Sequence, residues 1–342
     1  MHSLLRRSTT PFIGLAAAMA LAAGTAQAQS PADFYKGHQI NIVVGSTPGG
    51  GYDQYSRLLA RHMPNHIAGA PVVIVRNMPG AGSLTSVLYL DATAPKDGTF
   101  MTAFNSGLFN DSMAAGKDAK AKFTDYAFLG SATQDFRVCY AAKETKIQSF
   151  DDLAKRKEVV FGGTGPNSNS YNGAAMLKNI FGLPMKIIAA YPGNGELLLA
   201  VERGELDGSC LTFSSIPENW IRDNKINFLL RLADSSAPTI PDGVPFIRDV
   251  AKTEEQKDII DVLLAPNELG RPYIMSRSVP KDRVAYMQDK FMETLKDQAL
   301  LDDAAKQGLT VDPVGGVEAE KTVAKLYTFS PDIIAKAQDA LK

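Results

Sequence analysis

The residues best suited to bind a ligand lie in a glycine-rich segment, GSTPGGGYD at residues 45–53. An apolar run at residues 40–44 precedes it and a helical pattern at residues 55–61 follows it. The sequence therefore predicts a strand, a turn and the start of a helix. Glycines allow positive φ angles and, having no Cβ, let the backbone approach a ligand closely. Amide groups at a helix N-terminus, helped by the helix dipole, attract anions, so the segment predicts a site for a phosphate or a carboxylate.

A second glycine-rich segment, GGTGPNSNS at residues 162–170, also lies between an apolar run and a helical pattern. In open α/β sheets ligands bind beyond the carboxyl ends of the strands, so two such turns on two domains would face each other across a cleft. A ligand held between two domains implies closure about a hinge. In the alternative, both segments are ordinary strand-to-helix connections whose glycines only turn the chain. The correspondence between the two segments favours ligand binding.

Neighbouring residues favour a carboxylate over a phosphate ester. Neither segment contains the GxxxxGK[ST] pattern of a phosphate-binding loop. The pairs Gly80/Gly82 and Gly163/Gly165 lack the third glycine of a dinucleotide-binding fingerprint. Asp53 would repel a bound carboxylate by about 1 kcal/mol at a distance of about 4 Å in water. It therefore either caps the first helical turn and fixes the loop, or accepts a hydrogen bond from a ligand hydroxyl or amino group.

The sequence contains no pattern typical of catalysis or metal binding. It has no GxSxG nucleophile motif and no HExxH motif. His62 and His66 are four residues apart, but Pro64 interrupts the helix between them, so both read as surface residues. We therefore expect no catalytic residue, no metal and no cofactor, and a protein that is not an enzyme.

The N-terminus has the pattern of a secretory signal peptide. Arg6 and Arg7 precede an apolar stretch at residues 12–24, and AQA at residues 26–28 fits a cleavage site. The apolar stretch is too short for a typical membrane span, which makes an uncleaved anchor the weaker alternative. The formal net charge is −1, and no basic cluster follows the signal peptide. This balance argues against binding to nucleic acid or to a membrane surface.

The remaining chain predicts an α/β fold, long enough for two domains. Strand-like and helix-like patterns alternate up to residue 276, and the chain is helical from residue 280. Such alternation is typical of a mostly parallel sheet covered by helices on both faces. The only cysteines are Cys139 and Cys210. An oxidising compartment permits a bridge, but the sequence does not place their Cα atoms within bonding distance, so we expect two separate buried thiols.

Several motifs together resemble the periplasmic solute-binding receptors of tripartite tricarboxylate transporters, the Bug-type receptors. They are PGG at residues 48–50 with Asp53, NMPGAG at 77–82, APKDGT at 94–99, YPG at 191–193 and ERGELDG at 202–208. The resemblance covers essentially the whole chain after the signal peptide. It implies the type II periplasmic-binding-protein fold, in which two α/β lobes flank a ligand cleft.

The resemblance also implies how the chain is divided. Residues 1–28 are the signal peptide, residues 29–134 and 268–342 form a discontinuous lobe 1, and residues 135–267 form lobe 2. The connections between the lobes are expected near residues 134–138 and 266–274. This division places the helical C-terminus back on lobe 1.

By resemblance, the glycine-rich turn of each lobe contributes ligand contacts, and nearby loops complete the cleft wall. The expected ligand-binding residues are Ser46, Thr47, Pro48, Gly49, Gly50, Gly51, Tyr52, Asp53, Asn105, Ser106, Gln134, Asp135, Thr164, Gly165, Pro166, Asn167, Ser168, Asn169, Tyr191, Gly193 and Asn194. The first turn departs from the commoner PFPPGG sequence of these receptors, and Met78 stands where a basic residue is usual. The ligand's identity therefore stays open between a di- or tricarboxylate and an aromatic acid.

The resemblance implies a monomeric receptor in the periplasm of a Gram-negative bacterium that binds a small organic carboxylate. It would deliver the ligand to the membrane permease subunits of a tripartite tricarboxylate transporter. The alternative is a sensing receptor that presents the carboxylate to a membrane sensor kinase. No nucleic-acid partner is expected.

Overall fold

A computed structural model of the chain describes residues 29–165, 168–191, 194–233 and 240–342. The predicted signal peptide lies outside these residues. In the described part of the chain, no helix is both long enough and apolar enough to cross a membrane.

The secondary structure alternates between strands and helices along most of the chain. The strands of the described residues are β1 (Ile40–Val44), β2 (Val73–Asn77), β3 (Phe100–Ala103), β4 (Tyr126–Ser131), β5 (Arg137–Ala142), β6 (Val159–Gly162), β7 (Met185–Ile188), β8 (Gly208–Thr212), β9 (Ile226–Arg231), β10 (Pro272–Ser276) and β11 (Val314–Gly315). The α-helices are α1 (Pro31–Tyr35), α2 (Gly51–His62), α3 (Leu84–Ala92), α4 (Leu108–Ala115), α5 (Phe150–Leu153), α6 (Asn169–Phe181), α7 (Asn194–Glu202), α8 (Glu218–Arg222), α9 (Glu254–Leu264), α10 (Lys281–Leu295), α11 (Gln298–Lys306), α12 (Gly316–Leu326) and α13 (Pro331–Asp339).

The strands form two mixed sheets, in the orders β11-β4-β10-β3-β1-β2 and β7-β6-β8-β5-β9. Within them, β1 lies between two parallel neighbours, β2 and β3, and β6 lies between two parallel neighbours, β7 and β8. The expectation of mostly parallel sheets is wrong, because β10, β11, β5 and β9 pair antiparallel with their neighbours. The expectation assumed that every strand is joined to the next through a helix, which gives parallel pairs. Strands β5 and β10 instead enter their sheets directly from the connections between the sheets.

The central strands are apolar because helices cover both faces of each sheet. All five residues of β1 are buried, as are all six of β4 and of β5. A strand buried on both faces reads as a continuous apolar run, which is why residues 40–44 were recognisable as a strand.

Two chain segments connect the sheets, and they are hydrogen-bonded to each other. The first joins β4 to β5, and the second joins the 3₁₀ helix Ala265–Leu269 to β10. The Asp135 amide donates to the Asn267 carbonyl oxygen at 2.8 Å, and the Gly270 amide donates to the Thr133 carbonyl oxygen at 3.0 Å. A Cβ on Gly270 would lie 3.0 Å from the Asp135 nitrogen, so a larger residue would push the two segments apart by a few tenths of an ångström.

Cys139 and Cys210 form a disulfide bridge, so the expectation of two separate thiols is wrong. The two residues face each other in the antiparallel pair of β5 and β8, with their Cα atoms 4.0 Å apart. The residues lie 71 positions apart in the sequence, and only the register of the folded sheet brings them together. That register was not readable from the sequence.

The C-terminal helices do not all pack on the first sheet. Helices α10 and α12 lie against β4, whereas α13 packs against both α4 and α9. Just beyond α13, the Asn179 side chain on α6 donates a hydrogen bond to the Ala340 carbonyl oxygen at 3.0 Å. The C-terminus therefore contacts helices connected to both sheets.

Candidate functional site

The first glycine-rich turn joins β1 to α2 and is fixed by the Asp53 carboxylate. Asp53 Oδ2 accepts hydrogen bonds from the Gly49 amide at 2.8 Å and from Arg57 Nε at 2.9 Å. Asp53 Oδ1 accepts a hydrogen bond from Asn77 Nδ2 at 2.9 Å, and Asn77 Nδ2 also reaches the Ser46 carbonyl oxygen at 3.0 Å. Asp53 is only 1% exposed, so its carboxylate is committed to holding the turn.

The contacts of Asp53 also set its ionisation. Burial raises the pKa of Asp53, but hydrogen bonds from Arg57, from the Gly49 amide and from Asn77 outweigh burial and hold the pKa below its ordinary value. The carboxylate is therefore charged at neutral pH. Asp53 is not the N-cap of α2, because that position is Gly50, and it reaches back to the turn from the first turn of the helix.

The three glycine positions of this turn differ in how strongly the structure requires glycine. Gly49 has a φ of +84°, a left-handed conformation that favours glycine. A Cβ on Gly51 would lie 3.0 Å from Nη2 of Arg271. Gly50 has an ordinary φ of −74°, and a Cβ there would meet no atom closer than 3.6 Å. Nothing within the described residues requires glycine at position 50, whereas the close approach of a ligand would.

Arg271 supports the turn from the second connecting segment. Its guanidinium carbon lies 4.5 Å from the ring centre of Tyr52 and 5.6 Å from that of Tyr55, within the range of cation–π contacts. Its Nη1 donates to the Gly270 carbonyl oxygen at 2.7 Å, whereas its Nε is buried without a hydrogen-bond partner in the described residues. The Tyr52 hydroxyl in turn accepts a hydrogen bond from the Ser106 amide at 3.3 Å, which ties the turn to the end of β3.

The loop before α3 packs against the first turn in a strained conformation. Gly80, Ala81, Gly82 and Ser83 all have positive φ angles, and two of them are not glycine. Ser83 Oγ donates to the Gly45 carbonyl oxygen at 2.9 Å and accepts from the Asn105 amide at 3.1 Å. Strained backbone of this kind occurs preferentially at functional sites, where the surroundings hold it in place.

The second glycine-rich turn joins β6 to α6 and is held by hydroxyl groups. Ser168 is the N-cap of α6 and accepts a hydrogen bond from the Tyr171 amide at 3.2 Å. The buried Ser170 accepts one from the Thr164 amide at 3.0 Å. Gly165 has a φ of +140°. Pro166, Asn167 and Gly193 of the expected site lie outside the described residues.

Elements connected to both sheets enclose a cavity of about 390 Å³. Four residues of the expected site line it: Asn105, Ser106, Ser168 and Asn169. Residues 46–53 are not among its lining residues, and they reach it through the contact between Tyr52 and Ser106. Gln134 and Asp135 instead line a separate cavity of about 650 Å³ beside the connecting segments. Thr164, Gly165, Tyr191 and Asn194 are not in the lining of either cavity.

Arg137 brings a buried positive charge to the 390 Å³ cavity. It is 9% exposed and forms an ion pair with Asp135, whose Oδ2 accepts from Arg137 Nε at 2.9 Å and from Nη2 at 2.6 Å. Thr212 Oγ1 donates to the other carboxylate oxygen at 2.8 Å. Burial raises the pKa of Asp135, but the charge and hydrogen bonds of Arg137 outweigh burial and hold it below its ordinary value. The Nε and Nη2 side of the guanidinium is therefore occupied by Asp135.

Two asparagine side chains line the same cavity without hydrogen bonds. Asn110 lies on α4 and Asn172 on α6, and the amide oxygen of each is buried with no partner in the described part of the chain. A buried polar atom without a partner costs about 1–3 kcal/mol. Both oxygens are inaccessible to solvent, so these residues line the cavity with other atoms of their side chains.

The sequence did not identify the cavity's most informative residues, which are Arg137, Asn110 and Asn172. A charge at the first position of the apolar strand β5 was the one available signal for Arg137. Asn110 and Asn172 lie within helices, where an asparagine is normally solvent-exposed, and their position is set only by the packing of α4 and α6. Gly82, Asn267 and Gln338 also line the cavity and were not expected.

The histidines of the α2 terminus contact acidic side chains rather than each other. His62 Nε2 lies 2.9 Å from Asp303 Oδ2, and His66 Nε2 lies 2.8 Å from Asp297 Oδ2. Both rings are partly buried against α11. Among the residues that the structure describes, no group of three or more histidine, cysteine or acidic side chains is arranged to hold a metal ion.

The fold is that of solved solute-binding proteins. A TctC solute-binding protein from Polaromonas matches 87% of this chain and 98% of its own length with a TM-score of 0.69 at 17% identity. The periplasmic binding protein BugD matches 88% of this chain and 97% of its own length, with a TM-score of 0.59 at 17% identity. MatC from Rhodopseudomonas palustris, solved with bound malate, matches 89% and 99% of the two chains, with a TM-score of 0.58 at 18% identity.

In sequence, this chain is 44% identical over 79 residues to a UPF0065 protein in the gbd 5′ region of Cupriavidus necator. That match spans 23% of each protein. No protein-family model matches the chain. At these identities the solved structures establish the fold, so the predicted two-lobe α/β fold and the resemblance to Bug-type receptors are confirmed at that level.

Proposed function

We propose that this chain is a periplasmic receptor of the Bug type that binds a small organic carboxylate in the 390 Å³ cavity. The proposal includes delivery of the ligand to the membrane permease subunits of a tripartite tricarboxylate transporter. The chain has the fold of solute-binding proteins, one of which was solved with bound malate. Export through the signal peptide at residues 1–28 would place the receptor in the periplasm, as a monomer.

The observation on which the proposal rests is the ion pair of the buried Arg137 with Asp135. A buried guanidinium needs a counter-charge, and Asp135 supplies one on the Nε and Nη2 side. Arg137 also lines the cavity, where the rest of its guanidinium can donate to a ligand carboxylate. Hydrogen bonds between charged groups contribute about 1.5–3 kcal/mol each, enough to select an anion over a neutral analogue.

The two glycine-rich turns complete the proposed site. The first does not line the cavity and would act on the ligand through the contact between Tyr52 and Ser106, and the second would present the N-terminus of α6 together with Ser168 and Asn169. Anions are stabilised at helix N-termini, and α2 and α6 both begin at these turns. Each turn follows a strand of a different sheet, so a ligand that touches both would hold the sheets in one arrangement.

The division into lobes belongs to the same proposal. Lobe 1 would comprise residues 29–134 and 268–342, and lobe 2 residues 135–267. The hinge would be the paired connecting segments around Asp135 and Gly270. Closure would then change the distance between Asn110 on α4 and Asn172 on α6.

A thermal-shift screen over mono-, di- and tricarboxylates tests the function. Ligand at 100 times its Kd stabilises a protein by about 2.7 kcal/mol, which raises the melting temperature by several degrees. The expected result is a shift with at least one carboxylate and none with its neutral ester. The double variant Asp135→Asn/Arg137→Gln removes both charges together and should lose that shift while keeping its fold. If no carboxylate stabilises the wild-type protein, the proposal is overturned.

Transport and sensing can be separated in a strain that lacks the gene. Loss of carboxylate uptake supports delivery to a permease. Normal uptake combined with loss of the transcriptional response to the carboxylate would contradict delivery and indicate a sensor.

A further inference from the structure

We infer that residues 331–342, called the strap below, hold the two sheets in the arrangement seen here and close one wall of the 390 Å³ cavity. The strap comprises helix α13 and residues 340–342. It acts as a third link between the sheets, in addition to the two connecting segments. Its role at the cavity rests on the proposed function, whereas its role between the sheets does not.

The strap packs against helices that belong to different sheets. Helix α13 contacts α4, which connects β3 to β4 of the first sheet, and α9, which follows β9 of the second sheet. Ala337 has no exposed surface, and Ala340 is 7% exposed. Both belong to one apolar cluster that also contains Phe109 of α4 and Ile260 of α9. Burial of apolar surface therefore stabilises the contacts of the strap with helices of both sheets.

Polar contacts tie the strap to the helices of the second sheet. Asn179 of α6 donates its side-chain amide to the Ala340 carbonyl oxygen at 3.0 Å. Lys336 of α13 forms an ion pair with Glu255 of α9. Both side chains of this pair are exposed, so the pair contributes little to stability. The apolar contacts are therefore the main attachment of the strap.

The chain just before the strap is attached to the first sheet. Helix α12 lies against β4, and Tyr327 follows it directly. The Tyr327 hydroxyl lies 2.7 Å from Ser112 Oγ of α4 and accepts a hydrogen bond from the Phe123 amide at 3.0 Å. The chain therefore passes within a few residues from the first sheet to the helices of the second. The sheets can separate only if α13 leaves its partners on one side.

The strap also lines the cavity between the sheets. Gln338 and Leu341 are in the lining, together with Asp111 of α4 and Met176 of α6. The 3₁₀ helix before the second connecting segment lines the same cavity through Pro266. The strap and the connecting segments therefore bridge the sheets at separate places around one cavity. Rotation about the connecting segments alone would separate α4 from α6, and the strap opposes that rotation.

Buried alanines of α13 offer a way to detach the strap in the full chain. Ala337→Arg adds a long, charged side chain at a position with no exposed surface, so α13 should leave its partners. Ala340→Arg makes the same change at the second buried alanine and is an independent variant. Ala335→Arg is the matched control, because Ala335 is exposed on the same helix and the change in charge is identical.

Electron paramagnetic resonance between two nitroxide labels measures the distance between the sheets without any ligand. One label is placed on Ala285→Cys of α10, which lies against β4 of the first sheet, and one on Asn219→Cys of α8. Trp220 of α8 packs in one apolar cluster with Val138 of the second sheet. Both labelled positions are exposed and lie outside the cavity lining, and both native cysteines are bonded in the disulfide.

A longer distance should be absent or minor in the wild type and in Ala335→Arg. It should account for more than half of the molecules in Ala337→Arg and in Ala340→Arg. Wild-type distances in either of these variants overturn the inference, as does a longer distance that already predominates in the wild type or appears equally in Ala335→Arg.

A thermal melt of each variant shows whether it still folds. Loss of cooperative unfolding in both Ala337→Arg and Ala340→Arg also overturns the inference, because the strap would then belong to the core of the fold rather than link two parts of it. None of these outcomes involves a ligand, so each leaves the proposed function standing. Conversely, failure of every carboxylate to stabilise the protein would leave the link between the sheets standing.

Discussion

The two glycine-rich turns have the same place in the fold but are stabilised by different chemistry. Each follows a strand with two parallel neighbours and opens a helix of 12 or 13 residues. The first is held by the charged carboxylate of Asp53, which binds a backbone amide, Arg57 and Asn77. The second is held by the hydroxyls of Ser168 and Ser170, and the described part of that turn contains no charged side chain.

The helices behind the turns differ in the same way. Gly173 of α6 packs against the disulfide, since a Cβ at this position would lie 2.4 Å from the Cβ of Cys210. Helix α2 buries Tyr55, Leu58 and Leu59 and contacts α11 through Arg61 and His62, whose side chains both reach Asp303. The comparison indicates that charge maintains the first turn and that neutral hydrogen bonds and a covalent bridge maintain the second. The two turns should therefore respond to different perturbations.

Removal of the disulfide should have the largest effect, and it should affect the second turn. The chain-entropy model gives about 3 kcal/mol for a loop of roughly 15 residues and about 4.7 kcal/mol for one of roughly 100. The 71 positions between Cys139 and Cys210 therefore predict a loss of about 4 kcal/mol in the double variant Cys139→Ala/Cys210→Ala. Denaturant unfolding measures the loss. Hydrogen exchange should show faster opening in Asn169–Phe181 than in Gly51–His62, and equal changes in both helices would contradict the comparison.

Substitution of Asp53 should have the next largest effect, confined to the first turn. Asp53→Asn keeps the shape but removes the charge that Arg57 and the Gly49 amide bind, which should cost about 2 kcal/mol. Asp33→Asn is the matched control. Asp33 also forms an ion pair with a basic residue about one helical turn away, Lys36, but this pair lies on the surface. Exposed ion pairs contribute little to stability, so a control as destabilising as Asp53→Asn would show that burial of the carboxylate is irrelevant.

Removal of the Ser168 hydroxyl should have a smaller effect, confined to the second turn. Ser168→Ala deletes the N-cap of α6 and should cost about 1 kcal/mol in the free energy of unfolding. Ser330→Ala deletes the equivalent N-cap of α13, away from the turns, and should cost a similar amount. Only Ser168→Ala should also weaken carboxylate binding in titration calorimetry. Equal binding by both variants would remove the second turn from the proposed site.

Acid pH should have the smallest effect on stability, and the effect should involve the first turn only. The pKa of Asp53 is depressed in the folded protein, so the stability from its charge is present above the unfolded pKa of about 3.9 and is lost as the pH falls below that value. The difference in unfolding free energy between the wild type and Asp53→Asn should therefore be constant from about pH 7 to pH 5 and shrink towards pH 3. The cost of Ser168→Ala should not change with pH. A constant Asp53→Asn difference down to pH 3 would show that ionisation is not the cause.

The sequence predicted the elements of the first turn well because each had a local signal. Residues 40–44 formed an apolar run, and glycines with a helical pattern followed, so strand, turn and helix were all readable. No local pattern distinguishes the three glycines. Gly51 is constrained by Arg271, which is distant in the sequence, and only Gly49 has the positive φ expected of all three.

The features that the sequence missed depend on contacts between distant segments. Cys139 and Cys210 bond because of the register of β5 and β8, and no local pattern encodes that register. Arg137 and Asn172 become cavity residues through the packing of the two sheets. Of the residues expected from the family resemblance, four line the cavity, because they lie in the loop after β3 or at the start of α6: Asn105, Ser106, Ser168 and Asn169.

The most direct test of the receptor proposal is a crystal structure of the protein with the carboxylate that stabilises it most in the thermal-shift screen. The expected structure has the ligand in the 390 Å³ cavity, with a carboxylate oxygen within hydrogen-bond distance, about 2.7–3.2 Å, of Arg137 Nη1. The second turn should contact it through Ser168 and Asn169. A ligand bound elsewhere, or in this cavity with its carboxylate away from Arg137, would contradict the account.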